Sequence, residues 1–367
     1  MKWWMLRPLD TWFFRGSMPF NEGEKSSVQP ESVFPPPMRT LQGAIRTTLA
    51  RGQGWTPGNK QPLPPELGDA ESLGDLHFTG PILLWQGEAL FPAPHLLVGE
   101  KPREQPWRLT RLHPGPSVVT DLGRVHLPVP QDPGVKGKAL EVWLNRRGLE
   151  KVLAGGVPSD ADLFPPDRLW EAERRVGLKR DSHRTAKDHH LFMPIHTRPR
   201  KELAVAVGVE GIPADWHPRE TVISLGGEGR SAAVAVRDGQ QTEGIGWPAP
   251  PELYAKEGRL FYTVTLTTPA SFPAMEEAVR RGLPGLPGCC RSACIGKPEQ
   301  IGGWDVANKR PRPLQALLPP GSTWWMEAEE KDREKVMAFH GGKIGRMTRY
   351  GLGQLVIGTW NGEVAKG

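Results

Sequence analysis

The hydrophobic pattern alternates between short apolar runs and long polar stretches, which predicts strands joined by loops with few helices. Residues 2–14 are rich in Trp, Leu and Phe and predict a buried strand. A polar loop follows to Pro35-Pro36-Pro37, a triplet that can stand just before a helix but not inside one. From Met38 the apolar residues recur at spacings of three and four, which predicts a helix that ends near Gly52.

The rest of the chain shows the same alternation of short apolar runs with turns. The polar, basic stretch 177–200 predicts a long loop or a protruding hairpin. The predicted strands cover 76–85, 88–98, 202–209, 221–225, 232–237, 260–268, 289–301, 314–326 and 352–360, and the predicted helices cover 138–154, 169–176, 275–281 and 327–339.

A stretch rich in Gly and Pro at 238–251 suggests a domain boundary. Beyond it, the predicted order strand-helix-strand-strand-helix-strand is that of the ferredoxin-like fold. The residues before it give a looser version of the same order, with insertions. We therefore predict an α+β protein built from two ferredoxin-like halves, an N-terminal half over residues 1–245 and a C-terminal half over residues 246–367.

Composition adds to this fold prediction. Gly 43 and Pro 39 among 367 residues argue against a helical bundle, because neither residue suits helix interiors. No apolar run approaches the roughly 20 residues that cross a membrane, and the charged, proline-containing start is not a signal peptide. Three cysteines, an odd number, argue against a disulfide framework. These features predict a cytoplasmic protein without a membrane partner.

The chain is mildly basic, with 47 Lys and Arg against 41 Asp and Glu and a formal net charge of +6. This excess permits a polyanionic partner. The 14 Trp side chains exceed what a loop-rich core is expected to bury, which predicts a protein partner. Trp12, Trp304 and Trp324 are candidate anchors of such an interface, and burial of each in the core is the alternative.

Histidines cluster at His183, His189 and His190, with His196 after them. Two of them could form a general acid–base pair for RNA cleavage. They could equally belong to a solvated loop, or to an electropositive loop that contacts phosphates. The neighbouring cations that support the last interpretation are Lys179, Arg180, Arg184 and Lys187.

The sequence predicts neither a metal site nor a cofactor site. Cys289, Cys290 and Cys294 lack the spacing of a structural zinc site and are predicted to be ordinary thiols. The sequence contains no Walker phosphate loop, HExxH motif or GxSxG motif. Glu171 and Glu173 lie in a charge run and are predicted to be solvated. We therefore predict no catalytic residue, no metal and no cofactor.

Three glycine-rich elements near strand ends carry basic residues. The C-terminal element, 341–353, precedes a predicted strand, whereas the glycines of a dinucleotide fold precede a helix. Glycines let the backbone approach a phosphate and present N–H groups to it, and a tight β-turn with incidental charge is the alternative. The second element is Leu225-Gly226-Gly227-Glu228-Gly229-Arg230, and the third runs from Gly296-Lys297 to Gly302-Gly303-Trp304-Asp305.

These segments together resemble the third subunit of the Cmr complex, which is the type III-B CRISPR effector, and hence the RAMP superfamily. Pro8-Leu9-Asp10-Thr11-Trp12-Phe13-Phe14-Arg15-Gly16-Ser17-Met18-Pro19-Phe20 is similar to the opening signature of that family. Gly43-Ala44-Ile45-Arg46-Thr47 resembles its first helix. Further blocks match in the same order at 176–178, 185–192, 225–230, 265–269, 302–305 and 350–353.

The resemblance implies a tandem ferredoxin-like fold without catalytic activity that holds the 5′ tag of the CRISPR RNA in antiviral defence. It also implies contacts with the large polymerase/cyclase-like subunit and with the first backbone RAMP subunit. Related RAMP proteins cleave repeat RNA, so an endoribonuclease is the alternative. Segments 55–75 and 100–137 match no block, and their roles stay open.

The residues expected to contact RNA come from these blocks and from the basic 177–200 segment. Cations neutralise phosphates and an aromatic ring can stack on a base. The glycine-rich loop contributes Gly345, Gly351 and Gly353. The side chains are Arg15, Arg39, Arg46, Lys179, Arg180, Arg184, Lys187, Arg230, Lys297, Lys343, Arg346, Arg349 and Tyr350.

Overall fold

The structure is a computed structural model, and its described residues form two compact units that interleave along the sequence. The described residues are all except 17–29, 59–60, 121–122, 181–185, 217, 219–220, 240–242, 306–309 and 365–367. The first unit spans Met1–Gly87, Asp167–Glu243 and Gln300–Gln315, and the second spans Glu88–Pro166, Gly244–Glu299 and Ala316–Gly367.

Short strands dominate the described residues. The helices are α1 (Met38–Gly52), α2 (Arg146–Leu153), α3 (Pro166–Leu169), α4 (Met275–Arg281) and α5 (Arg333–Met337). The strands are β1 (Lys2–Pro8), β2 (His77–Trp85), β3 (Glu88–Pro92), β4 (Leu97–Glu100), β5 (Arg108–Thr120), β6 (Gly123–Pro130), β7 (Lys138–Ala139), β8 (Trp143–Asn145), β9 (Leu163–Phe164), β10 (Trp170–Arg174), β11 (Gly177–Arg180), β12 (Ala186–Phe192), β13 (Ile195–Pro199), β14 (Leu203–Glu210), β15 (Val222–Ser224), β16 (Ser231–Asp238), β17 (Tyr254–Lys256), β18 (Arg259–Leu266), β19 (Cys289–Cys294), β20 (Glu299–Ile301), β21 (Trp304–Asp305), β22 (Arg310–Pro311), β23 (Gln315–Leu317), β24 (Thr323–Glu329) and β25 (Leu355–Thr359).

The first unit contains five strands that pair antiparallel in the order β15-β16-β1-β14-β2. The apolar run at the start of the chain forms the middle strand, where Trp4 lies opposite Val207 of β14 and Val236 of β16. Trp4 and Leu6 are fully buried. Burial of such apolar side chains contributes about 1.5–3 kcal/mol each, which explains why this hydrophobic segment is central in the sheet.

Helix α1 begins directly after the proline triplet, as the sequence predicts. The Pro37 carbonyl accepts hydrogen bonds from the N–H groups of Thr40 and Leu41, at 2.9 and 3.1 Å. The apolar stripe that predicted the helix is buried, with Ile45 and Leu49 at 0% and 1% exposed. The helix packs against β2 and β15 of the same unit.

In the second unit, β25, β18, β24 and β19 pair antiparallel in that order, and β17 also pairs with β18. Their apolar side chains form a core that includes Tyr262 and Trp324 from the strands and Val336 from α5. Trp324 is fully buried and its Nε1 donates to the Ala278 carbonyl of α4 at 2.9 Å. Of the two alternatives for Trp324, burial in the core is the one that holds, since the core of its own unit encloses it.

The second unit also contains the proline-punctuated stretch 100–137, which matched no block of the family. Strands β5 and β6 form a long antiparallel hairpin there, with Pro114 opposite Pro128. The hairpin extends a sheet in the order β6-β5-β4-β7, and Ser292 of β19 donates to the His126 carbonyl of β6. Strands β3, β8 and β9 pair next to one another in the same unit.

Both units contain the same strand order. In the first unit the strands follow the chain as β1, β2, β14 and β16, with α1 after β1, and they lie in the order β16-β1-β14-β2. In the second unit they follow as β18, β19, β24 and β25, with α4 and α5 after the first and third, and they lie in the order β25-β18-β24-β19. The fourth strand thus neighbours the first in each, followed by the third and the second. The prediction of a mixed fold of helices and antiparallel sheets is confirmed.

Three predicted helices are wrong in extent. Within 138–154 only α2 is helical, because Trp143–Asn145 pairs with β3 and the Asn145 side chain caps the helix. Within 169–176, Trp170–Arg174 is a strand that pairs with β13. Within 327–339, β24 continues to Glu329 and α5 covers only Arg333–Met337. In each case strand pairing with a distant segment overrides a local helical pattern.

The chain passes between the two units five times, and one passage, between Glu243 and Gly244, lies in the predicted linker 238–251. The division into halves at residues 245 and 246 stays a prediction. The two compact units do not follow it, since segment 88–166 belongs to the second unit and segment 300–315 to the first. Among the described residues, no helix is both long enough and apolar enough to cross a membrane.

Candidate functional site

In the first unit, the segment that leaves β1 is bound to the loop that enters β16. The Gly227 N–H donates to the Phe13 carbonyl at 2.8 Å. Gly226 has a φ of 90°, and a Cβ atom there would lie 2.7 Å from the Phe13 oxygen, so glycine is required for this close approach. Leu225 closes the loop by donating to the Arg230 carbonyl at 2.8 Å. The opening block of the sequence and the 225–230 block are therefore in contact.

Trp12 fixes the same exit segment from another side. Its backbone exchanges hydrogen bonds with Thr197 of β13 at 2.8 and 2.9 Å, and its Nε1 donates to the Ser231 carbonyl at 3.1 Å. The side chain is fully buried. Of the two alternatives for Trp12, burial is the one that holds, because its ring and its Nε1 are both used within the first unit.

Three arginines converge on Asp10 in this exit segment. Arg175 Nη2, Arg198 Nη2 and Arg230 Nη1 donate to the Asp10 carboxylate at 2.6, 2.9 and 3.0 Å. Arg175 Nε donates to Glu173 at 2.8 Å, and Arg198 Nε donates to the other oxygen of Glu173. We call these five residues the Asp10 cluster.

The Asp10 carboxyl stays ionised within the cluster. Partial burial raises its pKa, but the hydrogen bonds from Arg175 and Arg198 outweigh this effect and hold the pKa below its ordinary value. The pKa of Glu173 is also lowered, first by the hydrogen bond from Arg198. The prediction that Glu173 is a solvated carboxylate is therefore wrong, because two guanidiniums bind it.

His196 borders the Asp10 cluster and is 1% exposed. Its Nδ1 lies 3.0 Å from Thr11 Oγ1, and its ring stacks on Phe13 at 5.0 Å between centroids. Burial lowers the pKa of His196, and the charges of Arg230 and Arg175 lower it further. A general acid or base must reach its substrate, so this enclosed ring has a packing role.

In the second unit, the segment that leaves β18 is bound to the glycine-rich loop that enters β25. The Gly353 N–H donates to the Pro269 carbonyl at 2.8 Å, and the Arg346 N–H donates to the Ser271 carbonyl at 2.7 Å. Thr268 Oγ1 donates to the Gly351 carbonyl at 2.9 Å. The 265–269 and 350–353 blocks, far apart in the sequence, therefore meet at the exit of a first strand.

The glycine-rich loop closes tightly on itself. The Ile344 N–H donates to the Gly353 carbonyl at 2.9 Å. Gly353 has a φ of 76°, and a Cβ atom there would lie 1.8 Å from the Ile344 oxygen. Gly345 and Gly351 also have positive φ, at 89° and 85°. The predicted glycines are therefore needed for the path of the backbone, whatever binds to it.

The cations of this loop lie at or near the surface. Arg346 is exposed, and Lys343, Arg349 and Tyr350 are half-buried. Lys297 is exposed in the loop that follows β19. The second unit thus carries basic side chains on two loops. The backbone of one of them, the glycine-rich loop, is hydrogen-bonded to the segment that leaves β18.

Arg46 serves the fold. It is 7% exposed, and its guanidinium donates to the carbonyls of Leu67, Asp69 and Ser72 at 2.7, 2.6 and 3.1 Å. These bonds hold the loop between α1 and β2. A guanidinium buried under its own loop is directed at that loop rather than at a phosphate.

Arg39 ties α1 to the 300–315 segment of the first unit. Its Nη1 donates to the Gly302 carbonyl at 2.9 Å, and its Nη2 donates to Gln315 Oε1 at 3.2 Å. Arg312 of the same segment donates to the Ala70 carbonyl at 3.0 Å. Gly302, the first residue of the Gly-Gly-Trp-Asp block, thus accepts a hydrogen bond from Arg39 of α1.

The remaining predicted residues are only partly described. Arg15 is exposed, and its backbone bridges to Ser32. The prediction of a hairpin within 177–200 is confirmed, since β11 and β12 pair antiparallel. His183 and Arg184 lie outside the described residues, and so do the side chains of Lys179, Arg180, Lys187, His189, His190 and Trp304.

The three cysteines lie on β19. Burial raises the pKa of both Cys290 and Cys294 to about 12, so these thiols are unreactive near neutral pH. Across the part of the chain that the structure describes, no group of three or more His, Cys, Asp or Glu side chains could hold a metal ion.

Asp10, Arg175 and Arg198 are the residues that sequence reasoning missed. Asp10 stands inside the opening block, but its partners are 165 and 188 residues away. The sequence pattern offered no signal for this cluster, because it predicts a helix over 169–176, whereas the ion pairs of Glu173 depend on the pairing of β10 with β13.

Comparison with known proteins identifies the family. The model of the family described as CRISPR-associated protein (Cas_Cmr3) matches residues 4–360. No curated protein is significantly similar in sequence to this chain.

Solved structures show the same fold. A chain in the cryo-EM structure of the type III-B Cmr-beta bound to cognate target RNA has 16% identity, covers 88% of this chain and 86% of its own length, and gives a TM-score of 0.51. A chain in the structure of the same kind of complex with cognate target RNA and AMPPnP has 16% identity, covers 89% and 86%, and gives a TM-score of 0.50. At this identity the likeness concerns the fold, and the family assignment rests on the sequence match. The chain belongs to the CRISPR-associated Cas_Cmr3 family, a family of Cmr subunits, as the sequence resemblance indicated.

Proposed function

We propose that the chain is a non-catalytic RNA-binding subunit of a type III-B CRISPR effector that holds the 5′ tag of the CRISPR RNA in antiviral defence. Membership of the Cas_Cmr3 family supports the place in the effector. The observation that carries the RNA-binding role is the glycine-rich loop 341–353, whose backbone is pinned to the exit of β18 while the Arg346 side chain is exposed.

The proposed fold is a pair of ferredoxin-like halves. Its support is the strand order that recurs in both units, with the fourth strand beside the first and the third between the first and the second. In the second unit helices follow the first and third strands, as the ferredoxin-like order requires. In the first unit the described residues between β14 and β16 form loops and β15 and include no α-helix.

Each unit contributes its own proposed RNA contacts: the first through the loop beside the exit of β1 and through the basic hairpin, the second through the loop beside the exit of β18. A flexible single strand is bound by cations that follow its backbone and by aromatic faces that stack on bases. The side chains proposed to contact RNA are Arg15, Lys179, Arg180, Arg184, Lys187, Arg230, Lys297, Lys343, Arg346, Arg349 and Tyr350. Arg46 is left out because its guanidinium is buried under its own loop, and Arg39 is left out because both of its Nη groups donate to the 300–315 segment.

The proposed protein partners are the large polymerase/cyclase-like subunit and the first backbone RAMP subunit. The family supports this proposal. Exposed apolar side chains such as Leu9, Val119 and Val176, at 59%, 74% and 69%, are available for such contacts. Co-purification with each subunit tests it, and a chain that captures neither contradicts it.

Binding and cleavage of labelled RNA test the proposed function directly. The purified chain is mixed with an RNA that carries the 5′ tag and, separately, with the same RNA after scrambling of the tag. We expect tighter binding of the tagged RNA and no cleavage of either. Equal binding of both contradicts tag recognition, and cleavage would instead support the alternative, an endoribonuclease that processes repeat RNA.

A further inference from the structure

We propose that Arg175 and Arg198 bind a backbone phosphate of the guide RNA together with Arg230, and that Asp10 and Glu173 position them. The proposal rests on the proposed function, since it assigns further contacts to the same RNA. Neither Arg175 nor Arg198 lies in a glycine-rich loop, and the structure alone brings them beside Arg230.

The geometry of the guanidiniums is suited to an oxyanion. Arg175 and Arg198 each donate from one Nη to Asp10 and from Nε to Glu173. These paired hydrogen bonds hold both guanidinium planes in a fixed orientation. A guanidinium carries five N–H groups, so each keeps donors beyond those given to Asp10 and Glu173. Fixed, planar donor forks are what bidentate recognition of phosphate requires.

The cluster carries an excess of positive charge, which favours binding of a polyanion. Three guanidiniums face two carboxylates in the cluster, a net charge of +1. The side chains of Arg175, Arg198 and Asp10 are 30%, 37% and 42% exposed, so the cluster is accessible to solvent. Ion pairs this exposed add little to the stability of the fold. Stability alone therefore does not explain why three arginines surround one carboxylate.

The position of the cluster links elements proposed to contact RNA. Arg175 precedes the basic hairpin β11–β12 in the sequence, and Arg198 follows it on β13. Arg230 closes the loop that is bonded to the exit of β1. A phosphate at the cluster would therefore lie at the base of the hairpin, where Arg230 brings the 225–230 loop to Asp10.

The salt dependence of RNA affinity tests the arginines. We compare the full-length wild type with R175Q/R198Q, using a labelled single-stranded RNA that carries the 5′ tag. For single strands each neutralised phosphate adds about 0.7 to the log–log salt slope, so loss of the one proposed phosphate contact in the double variant should lower the slope by up to about 0.7. The matched control R280Q/R281Q removes two arginines from exposed ion pairs of α4 and should leave the slope unchanged.

The outcomes separate this inference from the proposed function. A wild type that does not prefer the tagged RNA overturns the proposed function. A wild type that prefers it, together with an unchanged slope in R175Q/R198Q, overturns only the inference and leaves the cluster as a structural element. If the double variant does not fold by circular dichroism, the single variant R175Q is used, and a slope lowered by less than about 0.3 then overturns the inference.

Asp10→Asn tests the positioning role by the sign of its effect. Removing a negative charge should strengthen RNA binding if only the net charge matters. If Asp10 orients the guanidiniums, D10N should instead weaken binding several-fold at fixed salt. The control E171Q removes a carboxylate that is 49% exposed on the same strand as Glu173 and pairs with Arg200, outside the cluster. Tighter binding by both variants overturns the positioning role.

Discussion

The Gly227 N–H donates to the Phe13 carbonyl at 2.8 Å, and the Gly353 N–H donates to the Pro269 carbonyl at the same distance in the other unit. In each unit the donor stands in the glycine-containing loop before the fourth strand, and the acceptor stands in the segment after the first strand. These loops share no strict sequence repeat. The correspondence therefore lies in the topology, which places a glycine loop beside a first-strand exit in both units.

Gly353→Ala should destabilise the second unit through a steric clash. The new Cβ would lie 1.8 Å from the Ile344 oxygen, which forces the loop to move. Gly285→Ala is the matched control, because Gly285 has a similar φ of 85° but a Cβ atom there would have no neighbour within 4 Å. We expect G353A to lower the free energy of unfolding by roughly 1–3 kcal/mol more than G285A in urea titrations. Equal losses would mean that backbone strain alone explains the glycine.

Arg46→Ala should lower stability without changing the salt dependence of RNA binding. The substitution removes the guanidinium donor from the carbonyls of buried Leu67 and of exposed Asp69 and Ser72, and the Ser72 carbonyl still accepts from the Asp69 N–H. An unsatisfied buried group costs about 1–3 kcal/mol, and we expect a loss of about that size because water reaches the two exposed residues. Arg280→Ala, an exposed i,i+4 pair, should cost less than about 1 kcal/mol. If R46A lowers the salt slope of RNA binding, Arg46 contacts RNA after all.

Local patterns predicted the elements whose stability is local. The stripe of α1 recurs every three to four residues, and its helix begins where the proline triplet permits it. The pattern failed at Trp170–Arg174, where pairing with β13 decides the conformation. A single sequence does not record which distant strand will pair, so these errors fall on segments with distant partners.

The candidate site was predictable only in part for the same reason. Glycines at 345, 351 and 353 stand out in sequence, and their positive φ explains why other residues would not serve. Asp10 and Arg198 are 188 residues apart and meet only after the sheet has formed. Arg46, by contrast, had the charge expected of an RNA contact, and burial under the 67–72 loop gave it a different role.

Asp162→Asn should make the free energy of unfolding less dependent on pH in the acidic range. Asp162 is fully buried, which alone raises its pKa, but hydrogen bonds from Lys151, Ser159 and Arg147 hold the pKa far below the ordinary value of 3.8. The ionised group therefore stabilises the fold above that value, and this stability is lost as the pH falls toward the folded-state pKa. Urea unfolding between pH 7 and pH 3 should show a steeper decline in wild type than in D162N. Parallel curves would contradict the assignment.

Replacing Lys343, Arg346 and Arg349 together with Ala should weaken RNA binding through its electrostatic part. With about 0.7 per neutralised phosphate, the log–log salt slope should fall by on the order of two. A control triple variant removes Arg281, Lys331 and Lys335, which are 81%, 74% and 72% exposed in the same unit. Its slope should stay near that of wild type. An unchanged slope in the loop variant would move the RNA site away from the glycine-rich loop.

Replacing His183, His189 and His190 together with Ala should leave target-RNA cleavage by the assembled effector intact. Metal-independent cleavage needs a general base near the 2′-hydroxyl and a general acid for the leaving oxygen. These three form the one dense histidine group in the sequence, and the nearby His196 is enclosed between Thr11 and Phe13. If the group contacts phosphates instead, the variant should lose some guide affinity and nothing else. The measurement is the cleavage rate of complexes shown by RNA extraction to contain equal guide. A fall of 10²-fold or more, the scale of losing a general acid–base, would make the chain a nuclease and replace the non-catalytic proposal.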